Sequence, residues 1–370
     1  MKVFLIAYYK GNFGDDLFVR EILERYPKVQ FYSYVGKEEY AKPFEKYQNI
    51  HFIFEKMNIS EIDMAPYDAC LYIGGSIFVE NLPQSKKRLE NYRDFAINCK
   101  KEGKPYFYMS SNFGPYETNE YYEIARDLFS NCEDVCFRDK YSANLFKDLE
   151  TVRYAPDVVF SLNYKAGEKI KNTVGMSMLD VTRVNGLQHK ETEYYDFFEN
   201  NIKKYIDEGK EIYLFSFWKD NGEEFVTDTL LKRFSEEYMK KINVVRYRGN
   251  IDKFLDIYSK MEYMMCIKFH SMILSTMFKQ KKVVLSYLSK LNNVNKDLRL
   301  TNNMRDLKDI SSNLVINLEE YDKLEDNKVQ EYVELSKKQF EKVDGCLKTI
   351  ENEKNDLECV KKHKQDQFCR

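Results

Sequence analysis

The stretch YMMCIKFHSMILSTMF, residues 263–278, changes its period halfway along. Its first part is a continuous apolar run that predicts a buried strand. From Phe269 onward the apolar positions Phe269, Met272, Ile273 and Met277 fall at helical spacing, so the strand passes into a helix near Lys268. A strand that feeds directly into a helix is half of a βα unit, and the same alternation recurs along the chain, as a parallel sheet requires. Toward the N-terminus the predicted strands are KVFLIAYY (2–9), VQFYSYV (29–35), ACLYIGGS (69–76), KPYFYMSS (104–111) and DVCFRD (134–139). Most are unbroken apolar runs, the pattern of strands covered on both faces. A second series comprises TVGMSML (173–179), EIYLFSFW (211–218), INVVRY (242–247), YMMCIKF (263–269) and KKVVLSY (281–287). Helices are predicted at Asp16–Tyr26, Glu120–Asn131, Glu193–Glu208, Gly222–Met239 and Asp252–Lys260. The polar stretch NYKAGEKIKN (163–172) separates the two series as a linker. The expectation is two similar α/β domains, 1–165 and 172–317, facing each other, followed by a charged helical tail, 318–370. In that tail Leu347, Ile350, Leu357 and Val360 keep helical spacing without a sustained heptad, which predicts surface helices packed along the body.

Length and composition agree with this division. A chain of 370 residues is long for one hydrophobic core, and 43% hydrophobic residues are enough to fill two. A formal charge of −2, from 58 basic and 60 acidic residues, gives no global field favouring nucleic acid, so any anion site must be local. The apolar start of MKVFLIAYYKGNFGDD is too short for a signal peptide or a membrane span, and the protein reads as cytoplasmic. Of the 8 cysteines, the nearest pair, Cys132 and Cys136, has no further Cys or His cluster to complete a zinc site, so they are expected as reduced packing thiols.

In open α/β sheets ligands bind beyond the carboxyl ends of the strands, and the unusual residues collect at those ends. GNFGDD (11–16) follows the first strand, where Gly11 and Gly14 permit a tight turn and close approach, and Asp15 or Asp16 can cap the next helix. YIGGS (72–76), with Gly74 and Gly75, ends another strand; SSNFGPY (110–116), with Asn112, a third; CFRDKYS (136–142), with Arg138 beside Asp139, a fourth. Each alone could be a plain turn or a surface ion pair; together they mark one end of one sheet. His270 is the one histidine of 4 that lies in an apolar run, in the first turn of the helix after Lys268. A core histidine bonded to a carbonyl is one reading. Lys268 beside it argues for another, because lysine is seldom buried without a partner and a helix N-terminus favours anions. VVLSYLSKLNN (283–293) brings Lys290 to the next strand end, as a rim residue or a solvated one. His189, in VTRVNGLQHKETEY (181–194), either reaches the cleft or sits on an exposed loop.

GNFGDD, IGGSIF, SNFGPY, FRDKYS, APDVVFSL, KFHSMILS and SYLSK, in that order over roughly 1–295, resemble the polysaccharide pyruvyl transferases. The resemblance implies a GT-B-like fold of two Rossmann-like domains facing a central cleft, with C-terminal helices. It implies transfer of the enolpyruvyl group of phosphoenolpyruvate to two hydroxyls of one sugar, forming a pyruvate ketal and releasing phosphate, with no metal or other cofactor. Carried over, the family's Arg-x-His element falls on Lys268 and His270, its strand-end Arg-Asp on Arg138 and Asp139, and its SYxxK on Lys290. Where the family usually has arginine, this chain has Lys268, which keeps the charge and lacks the planar fork.

That chemistry suits the residue types. Arg138, Lys268, His270 and Lys290 would hold the donor's carboxylate and phosphate; His270, kept protonated by bound phosphate, would be the general acid, with Lys290 beside it. Asn12, Asp15, Gly74, Gly75 and Asn112 would face the acceptor, Asp15 being a helix cap or a ligand. The expected partner is a sugar or lipid-linked saccharide, the latter bringing the protein to the inner face of the plasma membrane as a peripheral protein; no nucleic acid is expected. A GT-B glycosyltransferase using a nucleotide-activated sugar, or a sugar-binding module without catalysis, would share this architecture.

Overall fold

The computed structural model describes residues 1–368 apart from Met57 and Leu300, and their side chains except those of Ser289, Lys290, Thr301 and 357–368. The first domain holds β1 (Lys2–Ile6), β2 (Gln30–Tyr34), β3 (Ile50–Ile53), β4 (Ala69–Ile73), β5 (Tyr106–Ser111), β6 (Asp134–Phe137) and β7 (Val152–Tyr154), all parallel, in the order β3-β2-β1-β4-β5-β6-β7. The second holds β8 (Ile170–Ser177), β9 (Glu211–Ser216), β10 (Ile242–Arg246), β11 (Met261–Cys266), β12 (Lys281–Ser286) and β13 (Met304–Asp306), also all parallel, in the order β10-β9-β8-β11-β12-β13. These are two Rossmann-like sheets in a GT-B-like arrangement. Each predicted strand is present. β3, β7 and β13 were not legible as strands because they are three- or four-residue edge elements, partly exposed, with too little apolar sequence to stand out.

The helices that bear on the site are α1 (Phe13–Arg25), α2 (Ser85–Lys101), α3 (Asn119–Ser130), α4 (Lys140–Leu145), α5 (Glu191–Asp207), α6 (Glu223–Leu231), α7 (Glu236–Met239), α8 (Ile251–Ser259) and α9 (Phe269–Met277). The helix expected over Gly222–Met239 is instead two, α6 and α7, separated by a turn in which Ser235 is extended. α1 starts at Phe13, earlier than expected, because Asn12 is its cap: the Asn12 Oδ1 accepts from the Gly14 N–H at 3.0 Å. Neither Asp15 nor Asp16 caps it; both lie in its first turn.

Strand alternation divides the core. On β1, Phe4 and Ile6 face a cluster with α2 and α3, while Val3 and Leu5 face α1. On β11, Tyr263 and Met265 face the side of α5, while Met264 and Cys266 face α8 and α9. The two inward faces join in one cluster with α1, α8 and α9, so the domains share a core around α1. Beyond α10 (Ser289–Asp297) the chain forms α11 (Asp326–Ser336) and α12 (Glu341–Phe368) and returns to the first domain. Phe340, Val343 and Leu347 enter the shared core, and the buried Gln339 amide donates to the Ala155 carbonyl at 2.7 Å and accepts from the Ser110 N–H at 3.0 Å. The tail therefore packs along the body as expected over this stretch; Leu357 and Val360 lie outside the described side chains.

Candidate functional site

In each sheet the strand order reverses once, between β1 and β4 and between β8 and β11. The loops leaving β1, β4 and β6 in the first domain and β9, β11 and β12 in the second line a single cavity of about 640 Å³. Ligands of open α/β sheets bind at such switch points. Asn12, Asp15, Gly74, Gly75, Arg138, Lys268 and His270, seven residues singled out in the sequence, all line this cavity. Asn112 does not; it is buried beneath the wall. Lys290 falls outside the described side chains.

His270 sits where two helix N-termini meet. Lys268 occupies the cap position of α9 with an extended backbone, which puts His270 in the first turn. Its ring lies against the first turn of α1: a Cβ on Gly14 would fall 1.8 Å from the His270 Nδ1. Gly14 is thus required by the imidazole of the other domain. Phe18 meets the ring edge-on at 5.0 Å. α1 is itself fixed to the second domain, since the Phe13 N–H donates to the Phe217 carbonyl at 3.0 Å and the Tyr247 hydroxyl donates to the buried Asp16 carboxyl at 2.6 Å. Asp15 faces the cavity and Asp16 the interface.

Lys268 has a partner that the sequence did not reveal. Its Nζ lies 2.5 Å from Glu223 Oε1, and Glu223, the first residue of α6, is fully buried. The other carboxylate oxygen, Oε2, accepts from the backbone N–H groups of Phe217 at 2.6 Å and Trp218 at 3.2 Å. Burial raises the Glu223 pKa against the pull of Lys268; at Lys268, burial works against the ammonium, yet the charge and hydrogen bond of Glu223 together with nearby Tyr287 and Asp180 leave the lysine pKa raised. An ammonium has three N–H donors, and this carboxylate oxygen takes one. The signal in the sequence was position alone: Glu223 follows Gly222 just past a strand end.

Arg138 is held more completely. Its Nη1 donates to Asp157 at 3.0 Å and its Nη2 to the Asn112 side-chain oxygen at 2.7 Å, while Phe269 of the second domain lies under the guanidinium at 3.9 Å. Asn112 therefore supports Arg138 from behind the cavity wall. Gly75 matches it, since a Cβ there would stand 2.8 Å from both terminal nitrogens. Asp139 caps α4, accepting from the Ser142 N–H at 2.9 Å, and lies away from the cavity. His189 is exposed in a short turn and does not line the cavity.

Among the described residues no group of His, Cys, Asp and Glu is arranged to hold a metal, the six described cysteines are free thiols, and no helix is long and apolar enough to cross a membrane.

The sequence model of the polysaccharide pyruvyl transferases matches residues 12–289, three quarters of the chain. The chain belongs to this family. The matched stretch begins at the α1 cap and includes every cavity residue named above; α11 and α12 lie beyond it. No curated protein matches the sequence. Solved structures share the fold at low identity. Glycyrrhiza uralensis UGT73P12, complexed with glycyrrhetinic acid 3-O-monoglucuronide, is 8% identical with a TM-score of 0.57, over 98% of both chains. A putative UDP-N-acetylglucosamine 2-epimerase from Listeria monocytogenes is 11% identical with a TM-score of 0.52, over 92% of this chain and 90% of that one. The UDP-N-acetylglucosamine 2-epimerase of Rickettsia bellii is 10% identical with a TM-score of 0.51, over 95% and 98%. In this cavity Arg138, Lys268 and His270 stand together with the carboxamides of Asn12, Asn81 and Asn221 and the bare backbone of Gly74 and Gly75.

Proposed function

We propose that the protein transfers the enolpyruvyl group of phosphoenolpyruvate to two hydroxyls of one sugar in a cell-surface or exopolysaccharide precursor, forming a cyclic pyruvate ketal and releasing phosphate. The supporting observation is the meeting of Lys268, His270 and the N-termini of α1 and α9 in one cavity at the junction of the two switch points. Lys268, oriented by Glu223, attracts the donor's anionic groups. His270 as imidazolium gives its proton to the methylene carbon, which turns C2 into an oxocarbenium-like centre. The first sugar hydroxyl attacks C2 and its proton returns to the imidazole. The second hydroxyl then attacks C2 as the C–O bond to phosphate breaks, and its proton leaves with the phosphate.

The test measures thermal stability with phosphoenolpyruvate and, in parallel, with a panel of nucleotide sugars. A ligand that binds only the folded state raises stability by RT ln(1 + [L]/Kd). Phosphoenolpyruvate is expected to raise the midpoint, His270→Gln to keep that rise while abolishing phosphate release in the presence of acceptor, and a Lys268→Met/His270→Gln double variant to lose it. A rise with a nucleotide sugar and none with phosphoenolpyruvate would replace this reading by a glycosyltransferase.

A further inference from the structure

Trp218 is the only tryptophan in the chain, and it stands on the cavity wall beside Tyr8. The two rings come from different domains, Tyr8 from the loop after β1 and Trp218 from the loop after β9. They meet edge to face, with centroids 5.8 Å apart and planes at 87°. Both are held. The indole N–H donates to the Lys10 carbonyl at 3.0 Å, Asn12 and Trp218 form an antiparallel β-bridge, and the Lys10 ammonium lies 5.2 Å from the Tyr8 ring centroid.

The two rings stay open to the cavity. Large aromatics in this chain are mostly core residues, whereas Tyr8 remains 37% exposed and Trp218 is half-buried at a cavity that charged and carboxamide groups also line. Leu82, 49% exposed, adds an open apolar side chain to the same cavity. Because its N–H is already taken by Lys10, the indole offers a fixed apolar ring surface to whatever enters. A pyranose has complementary chemistry: its C–H face packs on an aromatic ring, and its hydroxyls reach carboxamides such as those of Asn12, Asn81 and Asn221, which line the same cavity.

We infer that Trp218 and Tyr8 form the subsite for the acceptor's pyranose ring, assembled from both domains. This rests on the acceptor being a sugar, as proposed above, and it names the residues that would receive it.

The single tryptophan makes the test direct. The intact protein is titrated, without phosphoenolpyruvate, with the methyl glycosides of glucose, galactose, mannose and N-acetylglucosamine, with sorbitol as an open-chain control and UDP as a stacking control, while Trp218 fluorescence is followed. At least one glycoside is expected to give a saturable change, with none from sorbitol. Tyr8→Leu is expected to weaken that binding roughly tenfold in the same readout, as the loss of one aromatic contact would. Trp218→Leu, read by calorimetry, should weaken it at least as much. Both variants should keep the thermal shift with phosphoenolpyruvate, which also shows that they fold. The inference is overturned if no glycoside perturbs Trp218, if UDP does so in place of the glycosides, or if neither variant alters glycoside binding. If glycosides bind at Trp218 while phosphoenolpyruvate gives no thermal shift, the pyruvyl-transfer reading fails and this subsite stands.

Discussion

Arg138 and Lys268 occupy equivalent places in the two domains, each past a strand end beside the cavity and each paired with a carboxylate whose side chain is 0% exposed. Their surroundings differ. The Arg138 side chain is 2% exposed, and its guanidinium is engaged by Asp157, Asn112 and the Phe269 ring. Lys268 is 14% exposed and pairs with Glu223. The first cation is committed to the protein and ties the domains together through Phe269; the second keeps donors for the cavity. Residue type and family resemblance had placed both in the donor site. Burial separates a structural charge from one that a ligand can share.

The widest gap between the two should appear in stability. Arg138→Met leaves Asp157 buried without its cation, and we expect a loss of about 3–5 kcal/mol in denaturant unfolding. A loss under about 1 kcal/mol would break the comparison. Asp16 tests the carboxylate half of the argument, because it is a buried carboxyl bonded to a phenol, Tyr247, in place of a cation. Burial raises its pKa to about 8. The folded state thus holds this proton more tightly than the unfolded chain, whose value is the ordinary 3.8. The cost to stability is absent at acid pH, grows as the pH climbs from the ordinary value to the raised one, and is complete above it. Asp16→Asn keeps an acceptor for Tyr247 and cannot ionise. It should gain on the native protein with rising pH, by on the order of a few kcal/mol at alkaline pH. Parallel pH profiles for the two proteins would show that Asp16 does not carry this shift.

Glu223→Gln is expected to cost less than Arg138→Met, about 1–3 kcal/mol, because the stranded Lys268 can turn to the cavity and its water. Its signature is in ligand binding. Glu223 holds the Lys268 pKa up, so its removal lets the ammonium lose its proton at a lower pH. The alkaline limit of phosphoenolpyruvate binding, followed by thermal shift across pH, should move down. An unmoved limit would mean that Glu223 only packs α6.

What the sequence disclosed followed from how local each feature is. The period change at Lys268 is written in consecutive residues, and so are the apolar strands; those readings placed the helix start and the strand ends that border the cavity. Glu223 is one acidic residue among 60, and nothing nearby marks it as the partner of a lysine on another βα unit. The glycines were legible as glycines but not in their purpose: Gly14 and Gly75 make room for His270 and Arg138, contacts set by tertiary packing. The helix cap went to Asn12 over two aspartates of equal propensity because Phe13 is bonded to Phe217 of the other domain, which pulls the helix start forward.

Lys268→Arg should have the smallest effect on stability and the most to say about the donor. A guanidinium can keep the Glu223 ion pair, and the position is not fully enclosed, so unfolding should change by less than about 1 kcal/mol. The planar fork would then offer paired N–H donors to a carboxylate or phosphate where an ammonium offers a point charge. Phosphoenolpyruvate should therefore stabilise the arginine variant more than the native protein, with Glu223 still required. If Lys268→Arg unfolds as readily as Arg138→Met, the pocket around Glu223 has no room for a fork, and Lys268 belongs with Arg138 among the structural charges. If the variant is stable and phosphoenolpyruvate binds it less tightly, the ammonium is matched to its ligand as it stands, and lysine at this position is a feature of donor recognition in this chain.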